Sequence, residues 1–271
     1  LVARARGAPP ASANGWSYPT AISADGNWVL YASQATNVVA GVTDSNGTTS
    51  DVFLFDRSTG TSTLVSRALG SATTTANNGS YPTAISADGN WVLYHSNATN
   101  VVAGVTDGNG TDDVFLFDRS TGNSTLVSRA LGSATATPNS YSQSTAISAD
   151  GNWVLYYSNA TNLIAGVTDS NANWDVFLFD RSTGSNTLVS RALGSATATA
   201  NTASSPAAIS ADGRWVLYQS NATNVVAGVT DGNATTDVFL FDRSTGLGSL
   251  VSRALGSATA TANNQSIPTT I

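Results

Sequence analysis

The sequence predicts an all-β fold: a β-propeller of four near-identical four-stranded blades with surplus terminal strands, or alternatively a β-solenoid. Three observations carry this. First, the chain repeats itself almost letter for letter. ISADGNWVLY stands at 22–31, 85–94 and 147–156, and as ISADGRWVLY at 209–218. DVFLFDRSTG begins at 51, 113, 175 and 237, a step of 62 residues. LVSRALGSAT begins at 64, 126, 188 and 250, with a worn fifth copy, LVARARGAPP, at 1–10. A fixed period of this size means units that bury their apolar faces on one another. Second, WVLY and VFLF are continuous apolar runs without in/out alternation, so each strand must be covered on both faces. Third, helical periodicity is absent throughout.

The second unit shows the elements in order. SYPTAIS (80–86) is a first strand, and Asp88-Gly89 supplies the positive φ angles of a tight hairpin turn. WVLYHS (91–96) is the second strand. A polar loop follows at 97–112, with a short apolar patch, Val101-Val102-Ala103. DVFLFDR (113–119) is the third strand, STG with Gly122 the turn, and STLVSR (124–129) the fourth. The connector ALGSATATPNS (130–140) leads to the next unit. The fourth strand mixes Leu and Val with Thr, Ser and Arg, as an exposed edge should. A propeller blade matches this pattern, being sandwiched between two others with its outer strand in solvent. A two-sheet sandwich would show period-two alternation instead. The chain is read as one repeat domain, 1–271, with units 22–84, 85–146, 147–208 and 209–271, and 1–21 as a partial preceding unit.

The hairpin ISADGNWVLY, the run DVFLFDRSTG and the tetrad LVSR together resemble the TolB-type WD-like propeller repeat. That family carries a Ser-x-Asp-Gly-x hairpin, an aromatic second strand and an Asp-x-x-Thr-Gly turn before the fourth strand. The resemblance covers all four units and implies a secreted or periplasmic bacterial protein that works through binding or assembly. The 16-residue loop between second and third strands departs from the short-loop members and leaves the chemistry of that face open.

Composition narrows the function. Every one of the 17 acidic residues is Asp and every one of the 11 basic residues is Arg, and there is no Cys. Neither a disulfide framework nor a thiolate metal site is therefore available. Charged residues make up 10%, far below the usual share, and Ser and Thr fill the polar surface, which reads as extracellular or cell-surface. The net charge of −6 argues against nucleic acid, and no apolar run is long enough for a membrane span. A start at Leu1 without Met or signal peptide reads as a processed chain or an excerpt of a longer one.

Four repeats leave almost nothing that occurs once, and an active site needs different residues converging on one place. His95 is the only histidine, and its equivalents are Ala32, Tyr157 and Gln219. It reads as a solvent-facing strand residue with no triad partner. A non-enzymatic protein is expected, with no catalytic residues.

The long loop carries oxygen ligands at fixed spacing: Asp44, Asn46 and Asp51; Asp107, Asn109 and Asp113; Asp169, Asn171 and Asp175; Asp231, Asn233 and Asp237. These suit Ca²⁺, and they equally suit turns, which Asp, Asn and Gly favour. The Asp-to-Asp spacing is 7 in the first unit and 6 in the others, which weakens a strict ligand geometry. Trp28, Trp91, Trp153 and Trp215 head the buried second strands and read as core. Trp174 breaks the repeat, its equivalents being Ser50, Asp112 and Thr236, and reads as an exposed glycan contact. Asn97, Asn159 and Asn221 lie in NAT glycosylation sequons. Arg67, Arg129, Arg191 and Arg253 end the outer strands and, with Arg57, Arg119, Arg181 and Arg243, read as exposed charges of small energetic weight.

Calling the strands a to d, the chain reads d, four times abcd, then a. The surplus pieces at 1–6 and 266–271 either fray, mark an excerpt, or pair with neighbouring copies. The last of these gives the leading expectation: head-to-tail assembly into a filament or surface layer through Leu1, Val2, Arg4, Arg6, Ile267 and Ile271. The competing expectation is a secreted multivalent glycan-binding propeller.

Overall fold

The computed structural model describes Val2 and residues 12–271. Among these residues all regular structure is β, in sixteen strands and no helix, and so no helix is long and apolar enough to cross a membrane. The strands form four antiparallel four-stranded sheets, each a meander of consecutive strands: β1–β4, β5–β8, β9–β12 and β13–β16. A solenoid would build its sheets from strands of successive units; here each unit makes its own sheet, as a propeller blade does. The described residues up to 137 form one compact unit with the first two blades, and residues 138–271 a second with the other two.

Blade one is β1 (Ser17–Ile22), β2 (Trp28–Ser33), β3 (Asp51–Asp56) and β4 (Thr61–Leu64). Blade two is β5 (Ser80–Ile85), β6 (Trp91–Ser96), β7 (Asp113–Asp118) and β8 (Asn123–Leu126). Blade three is β9 (Ser142–Ile147), β10 (Trp153–Ser158), β11 (Asp175–Asp180) and β12 (Ser185–Leu188), and blade four is β13 (Ser204–Ile209), β14 (Trp215–Ser220), β15 (Asp237–Asp242) and β16 (Leu247–Leu250). As the continuous apolar runs require, Leu30, Phe53, Tyr94, Phe115, Tyr156 and Phe177 are buried. Tyr94 stacks on its cross-strand partner Phe115 at 5.5 Å, and the same pair recurs in every blade.

Three details differ from expectation. In the hairpin, only Gly89 has a positive φ, 71°; Asp88 instead accepts the Asn90 N–H and the Ser86 hydroxyl, an Asx turn that leaves one left-handed position for glycine. The fourth strand is shorter, ending at Leu126 rather than 129, because the Ser128 hydroxyl bonds the Val114 N–H and takes the place of ladder pairing. At the C-terminal end, 266–271 forms no strand. Among the described residues no strand pairs with it, and the Ser266 N–H is anchored on the carbonyl of Thr236. Leu1, Arg4 and Arg6 lie outside the described residues. Val2 packs against the cluster of Tyr31, Phe53 and Leu64 of its own chain, whereas Ile267 and Ile271 are exposed.

Within each unit a repeated joint couples the blades. The Gly89 turn of blade two sits against the indole of Trp28, so close that a Cβ there would lie 2.2 Å from Trp28 Cδ1. The Arg119 guanidinium covers the same indole at 4.0 Å. Going the other way, Arg67 donates to the Gly122 carbonyl and lies 5.2 Å over Phe117. The second unit repeats this with Gly213 and Arg243 on Trp153, and Arg191 on Gly246 and Phe241. These arginines are therefore not detached surface charges: the repeat brings each to an aromatic face or carbonyl of the adjoining blade. The ion pair among the described residues is Arg214 with Asp242, at 3.0 Å.

Candidate functional site

The four copies agree along their buried second and third strands and diverge in the loops, connectors and fourth strands and in one column of paired side chains. Strand register sets Tyr18 opposite Ala32, Tyr81 opposite His95, Gln143 opposite Tyr157 and Ser205 opposite Gln219. The residue before each first strand joins them (Trp16, Gly79, Tyr141, Ala203), as does the residue before each third strand (Ser50, Asp112, Trp174, Thr236). Every blade thus has a slot formed at four variable positions held on a repeated frame of strands. Main-chain bonds fix its floor: the Ser80 N–H bonds the Ser50 carbonyl, and the Ser204 N–H bonds the Trp174 carbonyl.

In blade three the slot is aromatic. Tyr141 and Tyr157 each meet Trp174 edge-on, with centroids 5.2 Å apart and planes at 77° and 80°. Both phenol hydroxyls donate to Gln143 Oε1, the Tyr141 bond being 3.0 Å long. With Ser205 and Pro206 of blade four, these residues line an open pocket of about 710 Å³. Partial burial raises the Tyr157 hydroxyl above the ordinary phenol range, so it stays protonated as a donor. The site offers flat apolar ring faces, phenol and amide groups, and no ionic side chain in its lining. Trp174 is half-buried in this pocket and not a detached surface residue as its loop position suggested. Tyr141 and Gln143 escaped the sequence reading, although they break the repeat in the same way as Trp174.

In blade two the corresponding side chains are Tyr81 and His95, stacked at 5.5 Å and 27°. His95 is 9% exposed, not solvent-facing, because Tyr81 lies across it from the adjacent strand. Burial pushes its imidazole down to about 4, so it is neutral at physiological pH. In blade one, Trp16 stacks on Tyr18 at 6.0 Å with both rings exposed. In blade four, Ser205 and Gln219 leave the slot without an aromatic ring.

The proposed metal ligands lie in the long loops, where their oxygens serve the loops themselves. Asp44 Oδ1 accepts the N–H groups of Asn46 and Gly47, and Asp107, Asp169 and Asp231 do the same in turn. The Asn46, Asn109, Asn171 and Asn233 amides donate to Asp51, Asp113, Asp175 and Asp237. Each of these aspartates is buried and also accepts the hydroxyl of Ser66, Ser128, Ser190 or Ser252. Desolvation pushes Asp51 and Asp175 up to about 7 and Asp113 to about 8, and raises Asp237. No group of three or more His, Cys, Asp or Glu that could hold a metal occurs among the described residues.

Asn97 and Asn159 are half-buried and Asn221 is exposed. The sequon threonines have a structural partner: Thr99 Oγ1 accepts the Asn77 amide while the Thr99 N–H donates to Asn77 Oδ1, and Thr161 and Thr223 repeat the exchange with Asn139 and Asn201.

No family model and no curated protein matches the chain. Solved structures share fold features at low identity. A structure described as TolB from Agrobacterium tumefaciens is 20% identical, with a TM-score of 0.43, over 90% of this chain and 67% of its own. A prolyl endopeptidase is 15% identical at a TM-score of 0.47, over 85% of this chain and 27% of its own. An oligogalacturonate lyase in complex with manganese is 13% identical at 0.45, over 89% of this chain and 54% of its own. The chain therefore spans about a quarter of the endopeptidase and about half of the lyase. Similarity this distant carries no argument about activity.

Proposed function

We propose that this chain is a non-enzymatic glycan-binding propeller of the TolB-type repeat class, acting outside the cell. Its blade-three slot holds a saccharide ring against Tyr141, Tyr157 and Trp174. The observation that supports this is the placement of three aromatic rings and one amide in an open pocket, in a column that differs from repeat to repeat. A sugar ring presents an apolar face of polarised C–H groups rimmed by hydroxyls. The π faces of Tyr and Trp take the former, and phenol and amide groups take the latter. Two phenols oriented by one Gln143 oxygen keep the rings in place before a ligand arrives, which lowers the entropy lost on binding.

A glycan array followed by calorimetric titration of the best hit tests the proposal. Trp174→Ala is expected to weaken binding by roughly 10- to 100-fold, corresponding to about 1.5–3 kcal/mol for a buried stacking face. Binding that is unaffected by Trp174→Ala and Tyr157→Ala overturns it. Head-to-tail assembly is the competing reading, and sedimentation of the glycan-free chain separates the two: a homogeneous monomer that binds sugar favours recognition.

A further inference from the structure

Four Asn-Gly pairs occur in the chain, at 14–15, 46–47, 78–79 and 109–110. Such a pair carries its own nucleophile: the glycine backbone nitrogen can attack Cγ of the preceding carboxamide, and the missing Cβ leaves that approach open. Which pair reacts is then a matter of geometry, since the nitrogen must already lie against its own asparagine's side chain.

The fold turns three of the four away from this chemistry. The Gly47 N–H donates to Asp44 Oδ1 and the Gly110 N–H to Asp107 Oδ1, both at 2.8 Å. The amides of Asn46 and Asn109 are drawn to Asp51 and Asp113. Thr36 holds both ends of the Asn14 carboxamide: Oδ1 accepts the Thr36 N–H at 3.0 Å, and Nδ2 donates to the Thr36 hydroxyl at 2.9 Å. At the fourth pair the Gly79 N–H donates to Asn78 Oδ1 itself, at 2.9 Å. Asn78 is exposed, so water reaches its carboxamide. The backbone around it is pinned, with the Asn77 N–H on Asn100 Oδ1, the Asn78 carbonyl accepting the Asn46 amide, and the Ser80 N–H on the Ser50 carbonyl.

We propose that Asn78 is a self-modification site. The Gly79 nitrogen attacks Asn78 Cγ as its proton passes to water; the N–Cγ bond forms, the Cγ–Nδ2 bond breaks and ammonia leaves. Water then opens the cyclic imide. Cleavage of the new N–Cγ bond gives aspartate, whereas cleavage of the bond from that nitrogen to the Asn78 carbonyl carbon gives isoaspartate, whose main chain runs through Cβ and Cγ. Both products add a negative charge, and the second adds a backbone atom, directly before Gly79, the slot position that precedes the first strand of blade two. A Cβ on Gly79 would lie only 3.0 Å from Tyr81 Oη, so a lengthened chain there presses on the slot. The site rests on no part of the saccharide reading.

The chain supplies a control. The Gln265 N–H donates to Asn264 Oδ1 at 2.8 Å, and the Asn264 carbonyl accepts the Asn233 amide as the Asn78 carbonyl accepts that of Asn46. Gln265 has a Cβ and side chain where Gly79 has none, so this twin should react slowly.

The full chain, incubated folded at physiological pH and then digested, is read by mass spectrometry for the amide-to-acid change at each asparagine, with an isoaspartyl methyltransferase assay for isoaspartate. Asn78 is expected to convert first, roughly tenfold ahead of Asn14, Asn46, Asn109 and Asn264. In guanidinium chloride the four Asn-Gly pairs are expected to convert at similar rates. Asn78→Thr, which installs the residue that blade four carries at this position as Thr202, should remove the isoaspartate signal of the folded chain. Another Asn-Gly pair converting as fast as Asn78 in the folded chain, the same lead for Asn78 in the unfolded chain, or an isoaspartate signal that survives Asn78→Thr overturns the proposal.

Discussion

The joint between blades and the slot of each blade are built on the same strands, yet the repeat treats them oppositely. The joint is written identically wherever it is made: Trp28, Gly89 and Arg119 in the first unit become Trp153, Gly213 and Arg243 in the second. The slot is rewritten every time, from Trp16 and Tyr18 to Tyr81 and His95, then Tyr141, Tyr157 and Trp174, then Ser205 and Gln219. Packing explains the first pattern, since a glycine pressed on an indole admits no other side chain. Nothing in the packing of the strands demands the second. Where identical units must fit identical neighbours, sequence is fixed by geometry; where they differ, it is free to meet a ligand.

The largest expected effect breaks the joint. Gly89→Ala places a Cβ 2.2 Å from Trp28 Cδ1 at a φ of +71°, and is expected to cost about 2–4 kcal/mol in thermal or chemical unfolding. Gly132→Ala is its control: φ is +75° but nothing lies within 4 Å, so only the backbone cost of about 1 kcal/mol should remain. Equal losses at both positions would show that turn conformation alone, and not the indole, fixes the glycine.

The pH dependence comes next. Asp51, Asp113 and Asp175 have folded values of about 7, 8 and 7, above the ordinary 3.8. A raised carboxyl binds its proton more tightly in the folded chain. Its stabilising contribution is full below pH 3.8 and is lost as pH rises through 7 to 8. His95, lowered to about 4, works the other way and removes stability as pH falls from 6.5. Three carboxyls outweigh one imidazole, so Tm should be higher at pH 5.5 than at pH 8.5. Melting curves of Asp113→Asn should show a shallower slope across that window, and an unchanged slope would contradict the burial of a neutral carboxyl.

The smallest effect concerns the one residue that departs from ISADGNWVLY. Arg214 stands 4.7 Å over Trp215 and pairs with Asp242, covering its own blade's indole as Arg119 covers Trp28 from the next. The guanidinium is exposed, so Arg214→Asn, which restores the residue of the other blades, should lower Tm by no more than a degree or two.

The fold was largely legible because it is written four times. Continuous WVLY and VFLF runs located the buried strands, and Asp-Gly and Ser-Thr-Gly the turns. What the pattern left out was which neighbour covers which side chain. His95 seemed solvent-facing because its column tolerates Ala, Tyr and Gln, whereas the register lays Tyr81 across it. The arginines seemed to be surface charges because their aromatic partners lie in the adjoining blade, far away along the chain. The strand expected at 266–271 has the right residues, but among the described residues no strand pairs with it, and β structure needs its partner. Trp174 was found because it broke the repeat. Tyr141, Gln143 and Tyr157 break it too, but their meeting with Trp174 depends on strand register that no single column displays.

The central claim is that the divergent slot is where this chain meets its ligand. Calorimetric titration of wild type and Trp174→Ala with the glycan selected on an array tests it most directly, with circular dichroism confirming that both are folded. A loss of roughly tenfold or more on removing the indole, at unchanged Tm, is the result expected. Identical affinities for the two folded proteins would contradict it.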